Sequence, residues 1–107
     1  MFIYFMYFLI FSMEKEITDV KLDRYFDVTG RALEKVKSAL NSDFLDKAED
    51  FLDMASRYFE DAKYFREKGD YVLAYGALNY AHGWLDAGAR ANFFLVNDSV
   101  LFTVDDK

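Results

Sequence analysis

His82, Asp86 and Arg90 recur every four residues inside the stretch YAHGWLDAGAR, which also holds the chain's only tryptophan, Trp84. On a helix that interval returns to one face, so the three side chains form a polar line, extended by Tyr75, Asn79 and Phe93. An imidazole beside a carboxylate could do acid–base work or supply two ligands to a metal. Each role needs more than the chain offers. A catalytic zinc takes three protein ligands, and there is one His and no Cys. A Ser-His-Asp arrangement needs a serine beside His82; given a turn at Gly69-Asp70, Ser56 lies opposite about Gly83, and nothing places its hydroxyl on the outer face with the histidine. Gly83 and Gly88 lack the spacing of a dinucleotide or phosphate loop. No catalytic residue, metal ligand or cofactor is therefore assigned. Two readings of the line remain. It is a solvated helix face carrying i,i+4 pairs worth a few tenths of a kcal/mol each, or an interaction strip made of Tyr75, Asn79, His82, Asp86, Arg90 and Phe93, residue types that recognition surfaces favour.

The elements that must position this line are helices. The chain has no proline, so helix boundaries are set by caps and glycines. Thr18 is a good N-cap, with Ile17 and Leu22 placed as a hydrophobic staple. Leu22, Phe26, Thr29, Leu33, Val36 and Leu40 follow at spacings of four and three, which predicts a first helix from about Asp19 to Leu40. Asn41 to Asp43 break that pattern and cap the next helix. Phe44, Ala48, Phe51, Ala55, Tyr58, Ala62 and Phe65 make its apolar face, widened by Leu45, Leu52 and Phe59, and Lys68-Gly69 should stop it. Asp70 then caps a third helix with almost no loop, forcing an antiparallel hairpin. Its seam reads Ala74, Ala77, Ala81, Trp84, Gly88, Ala91 and Leu95, and Asn97 to Ser99 end it. These small residues are expected to face the large Phe51, Tyr58, Phe59 and Phe65 of helix two, so Trp84 belongs to the core while His82, Asp86 and Arg90 point away. Leu101 and Phe102 in the tail are expected to fold back onto the bundle. The prediction is an all-α, up-down-up three-helix bundle with an extra apolar N-terminal segment.

Length and charge bound the rest. At 107 residues the chain has room for one domain, here residues 13–107. Thirteen Lys and Arg against nineteen Asp and Glu give a net charge of -6 with bases and acids interspersed, which argues against nucleic acid as a partner. The remaining carboxylates, such as Asp46, Glu49, Asp50 and Asp53, mostly alternate with basic residues on outward faces. The absence of cysteine fits a reducing, cytoplasmic setting. The first twelve residues, MFIYFMYFLIFS, carry no charge and six aromatics. As a helix they would reach about 18 Å, short of a hydrocarbon core of about 30 Å. They also lack a basic n-region, a cleavage site and a polar face. Residues 1–12 are therefore read as an apolar leader whose codons precede the true start at Met13, and a membrane enters only if they are translated.

The run AEDFLDMASRYFEDAKYFREKGDYVLAYGALNYAHGWLDAGAR, and within it EKGDY followed by YAHGWLDAG, resembles a small archaeal family known as domain of unknown function 357. The resemblance extends from about Ile17 through Leu101 to Val104, and the leader departs from it. It implies a compact three-helix bundle and carries over no catalytic residues. A looser similarity is to the nucleotidyltransferase-associated helical domains called HEPN, which also pair long helices through a GDY turn. Their ribonuclease members place an arginine before a histidine; here Arg90 follows His82. The sequence thus supports a non-catalytic protein–protein interaction module, presenting helix three's strip or helix one's free flank to a protein partner or to a second copy as a homodimer. The alternative is a HEPN-like RNA-processing or nucleotide-linked enzyme using His82, Asp86 and Arg90.

Overall fold

A computed structural model of the chain describes residues 15–103, and the apolar leader lies outside the described residues. Among the described residues three helices form an up-down-up bundle: α1 (Asp19–Lys37), α2 (Leu45–Glu67) and α3 (Tyr71–Arg90), with a 3-10 turn at Ser42–Phe44 leading into α2. Among the described residues no helix is long and apolar enough to cross a membrane.

The caps behave as their chemistry dictates. The Thr18 side chain accepts from the Lys21 N–H at 3.1 Å, and the Asp70 carboxylate accepts from the Leu73 N–H at 3.1 Å. Gly69 takes φ +80, and the Gly69 N–H to Arg66 and Asp70 N–H to Phe65 bonds, 3.0 and 2.9 Å, close a Schellman turn that reverses the chain into α3. The Asn41 side chain caps the 3-10 turn, accepting from the Asp43 N–H at 3.0 Å.

Two helices end earlier than the apolar spacing predicts. The α3 helix stops at Arg90 rather than near Val96, because Asn92 adopts φ 63 and ends it with a second Schellman turn, Phe93 N–H to Gly88 and Asn92 N–H to Ala89. Asparagine tolerates the left-handed region that other side chains avoid, so it can stand where glycine usually does. The α1 helix stops at Lys37 rather than Leu40. Residues 39–41 pair instead with residues 93–95: the Leu95 N–H donates to Ala39 at 2.7 Å and the Asn41 N–H to Phe93 at 2.9 Å. Two helix ends are thereby stitched into one short antiparallel bridge.

The α2–α3 seam also differs from expectation. The buried positions of α2 are Ala48, Ala55 and Ala62, and α3 buries, besides Ala89, the small set Ala74, Ala81 and Gly88. Both sets recur every seven residues, so the seam pairs small with small, and Phe51, Tyr58, Phe59 and Phe65 of α2 flank it half-buried. The α1 helix lays Leu22, Tyr25, Thr29, Ala32, Leu33 and Val36 onto this hairpin, with Phe59 packing against the buried clusters at both ends. Leu101 and Phe102 are buried in the same core, as expected.

Candidate functional site

The face of α3 that carries His82 does not point to solvent. Each helix of a three-helix bundle touches two neighbours, so the buried arc of α3 is wider than the single seam with α2. His82 stands four residues after Leu78 and three before Leu85, both buried, and is itself 2 % exposed. The expectation that His82, Asp86 and Arg90 share an outward face is corrected on this point.

Burial gives the histidine specific partners. Its Nε2 lies 2.7 Å from the Leu101 carbonyl, which can only accept, so Nε2 carries a proton and donates. Its Nδ1 lies 3.0 Å from the Thr29 hydroxyl, which donates to the neutral ring and can turn to accept from a charged one. One side chain on α3 is therefore bonded to α1 on one side and to the C-terminal tail on the other. Asp86 extends the fastening: its Oδ1 accepts from the Thr103 N–H at 2.9 Å and stands 3.6 Å from His82 Nε2, beyond hydrogen-bond range. Burial pushes the Asp86 carboxyl above its ordinary range, against opposing pulls from His82 and from Thr103. The tail's other end is held by Asp98, which accepts from Lys35 Nζ at 3.0 Å and caps the Val100 N–H at 2.9 Å. The Lys35 ammonium holds Asp98 below the usual carboxylate range.

The remaining strip residues scatter. The Tyr75 ring meets the ring of Tyr25 on α1 edge-on at 5.0 Å. Asn79 is half-buried and Arg90 exposed. Phe93 lies beyond the end of the helix and turns to the α2 side, edge-on to Phe51 at 5.0 Å. The six residues do not form one surface, and the two that could exchange a proton are covered by Leu101 and Thr103. Among the described residues, no three His, Asp or Glu side chains gather as a metal site.

A different surface emerges on the opposite flank of the α2–α3 hairpin. Rings succeed one another along it: Phe44 to Phe93 at 5.6 Å, Phe93 to Phe51 at 5.0 Å, Phe51 to Trp84 at 4.9 Å, Trp84 to Tyr80 at 6.3 Å and Tyr80 to Tyr58 at 4.4 Å. Trp84 faces α2 as expected, but it is half-buried in this ladder rather than enclosed in the core. Two shallow depressions flank Tyr80. One, of about 290 Å³, is lined by Phe51, Gly83 and Trp84; the other, of about 440 Å³, by Tyr58, Phe65 and Gly76, with the α2 carboxylate Asp61 at its edge. Val72, Leu73 and Tyr80 expose 72, 49 and 52 % of their surface here. The sequence carried a signal for this surface: between Asp70 and Arg90 the only charged residue is Asp86, which the tail half-covers. A surface helix ordinarily shows a charged outer face.

The fold defines the class: an all-α three-helix bundle whose polar centre fastens its own C-terminal tail. The family model described as "Protein of unknown function (DUF357)" matches residues 24–94, and the chain belongs to that family. The matched span holds Thr29, His82 and Asp86 and stops short of the tail residues bonded to them. No curated protein and no solved structure matches the chain.

Proposed function

We propose that this protein is a non-catalytic protein–protein interaction module acting in the cytoplasm. The observation that carries the reading is the uncharged outward face of α3, where Val72, Leu73 and Tyr80 stand exposed beside an aromatic ladder. Contiguous apolar surface of this kind on a small protein marks a contact site, and exposed Tyr and Trp are favoured at the centres of such sites. The polar set supports the same reading from the other side. His82 has both ring nitrogens engaged and Asp86 holds a backbone N–H, a fastening arrangement that leaves neither group facing a substrate. The surface favoured here is the outward face of α3 in place of the strip containing His82. Absence of cysteine fits the compartment.

The test is affinity capture from native extract with wild-type chain and with the Gly76→Arg, Gly83→Arg double variant. Both glycines have open space where a side chain would go, so the variant keeps the fold. A protein retained by wild type and lost by the variant supports the reading. Turnover of RNA by the purified chain, abolished by His82→Ala, overturns it in favour of the HEPN-like enzyme.

A further inference from the structure

Resting on that reading, we infer that the partner of the α3 outward face is a second copy of this chain, packed α3 against α3, antiparallel, about a two-fold axis at Tyr80.

Charge carries the choice of occupant. The face is uncharged from Tyr71 to Ala89 apart from half-buried Asp86 on its other flank, and is closed at its ends by exposed Asp70 and Arg90. Each of these lies ten residues from Tyr80, about 15 Å along the axis at 1.5 Å per residue. Antiparallel pairing about Tyr80 brings the Arg90 of each copy to the Asp70 end of the other, twice, and opposes the two helix dipoles. Parallel pairing would set like against like. Arg90 has no ion-pair partner among the described residues, so it is available.

Shape points the same way. Tyr80 stands four residues after Gly76 and three before Gly83. A Cβ added at either glycine would meet nothing within 4 Å, so no contact among the described residues requires them, although each costs a helix interior about 1 kcal/mol relative to alanine. On a two-fold axis at Tyr80, each ring has a glycine of the opposing helix to lie over, and Leu73 comes opposite Ala87. Large side chains meet small ones on a surface that matches itself, as an isologous contact requires. The footprint is roughly 30 by 20 Å per copy, the distance between the charged ends by two helix diameters, or about 1,200 Å² in total, at the small end of dimer interfaces, so the dimer is reversible.

Sedimentation velocity on the full 107-residue chain tests this. The expected result is a mass that climbs with concentration from 12.6 kDa to twice that value, and for Gly83→Arg an association roughly tenfold weaker or more, with an unchanged circular dichroism spectrum. A wild-type chain that stays monomeric throughout, or a dimer equally populated in Gly83→Arg, overturns the inference. The chain has no cysteine, so mixing Leu73→Cys with Ala87→Cys chains reads the direction of packing. Mixed cross-links should outnumber both self-linked species, and predominance of self-linked Leu73→Cys chains overturns the antiparallel arrangement. If wild type is monomeric yet captures a partner that Gly83→Arg loses, the interaction reading stands and self-association alone fails.

Discussion

Gly83 and Gly88 sit five residues apart on α3 and have opposite reasons to be glycine. A Cβ at Gly88 would fall 2.2 Å from the Phe94 ring, whereas a Cβ at Gly83 would meet nothing. Both forgo the helix stability that alanine would supply, about 1 kcal/mol each. At Gly88 the loss is offset inside the chain: the notch lets Phe94 bury 99 % of its surface after the chain turns at Asn92. At Gly83 no offset exists among the described residues. The inward face of α3 is thus finished by its own tail and loop, and nothing among the described residues finishes the outward face.

The largest effect expected on that contrast comes from emptying the notch. Phe94→Ala should cost about 3–5 kcal/mol in urea denaturation, the range for large buried aromatics. Gly88→Ala alone should destabilise by overpacking, typically about 1–3 kcal/mol before the gain in helix propensity. In the Phe94→Ala background the same substitution should become stabilising, since the obstructing ring is gone. Additive effects in that double-mutant cycle would show that Gly88 and Phe94 are independent and that the glycine is no notch for the ring.

Next in size is the polar fastening. His82→Ala removes two bonds and leaves the Thr29 hydroxyl and the Leu101 carbonyl without this partner in a buried setting, a loss of about 2 kcal/mol. Because the tail is one of the two elements held, amide exchange of Phe102 and Thr103 should accelerate more than that of the α2–α3 seam. A variant as stable as wild type, with the tail still protected, would mean that His82 fastens nothing.

Most of the fold was legible and half of the site was not, for identifiable reasons. Thr18, Gly69 and Asp70 declare themselves because capping is local chemistry. Asn92 escapes the pattern because Ala91 and Leu95 continue the three-four spacing across it, and periodicity does not register one left-handed residue. A single seam on α3 puts His82 outside, whereas the helix has two. Leu78 and Leu85 flank it on the helix surface, and counting them widens the buried arc to include it. Thr29, a polar residue inside α1's apolar stripe, was the matching clue, since a buried hydroxyl needs a partner. The partners of His82 and Asp86 on the tail, by contrast, depend on a chain reversal that local pattern does not encode. The outward surface was legible only as an absence of charge.

Smaller, and of opposite sign, is Gly83→Ala. Measured in dilute protein, where a dimer is dissociated, it should raise stability by about 1 kcal/mol through helix propensity alone. Concentrated protein sharpens the comparison. There the wild-type chain gains stability by mass action and the variant gains less, because its methyl group occupies the slot offered to Tyr80. A stability difference independent of concentration would mean that the outward face meets nothing, leaving Gly83 without a structural reason.

The least effect, and the one that isolates the tail from the core, is the pH dependence of Asp86. Burial holds its carboxyl above the ordinary range, so the folded chain retains a proton at a pH where the unfolded carboxyl, titrating near 3.9, has lost it. In that window the folded state binds more protons than the unfolded one. Its stability therefore falls as pH rises from about 4 through the raised value of Asp86. Asp98 works in the opposite sense: Lys35 depresses its carboxyl, so its contribution is present above about 4 and is lost as pH falls through the depressed value. Asp86→Asn keeps an acceptor for the Thr103 N–H and removes the titration. Its stability relative to wild type should climb across the window and then level off, while Asp98→Asn should fall progressively behind wild type over the acid range. A flat difference for Asp86→Asn would mean that the tail does not close over the carboxyl, and the contrast between a finished inward face and an unfinished outward one would lose its inward half.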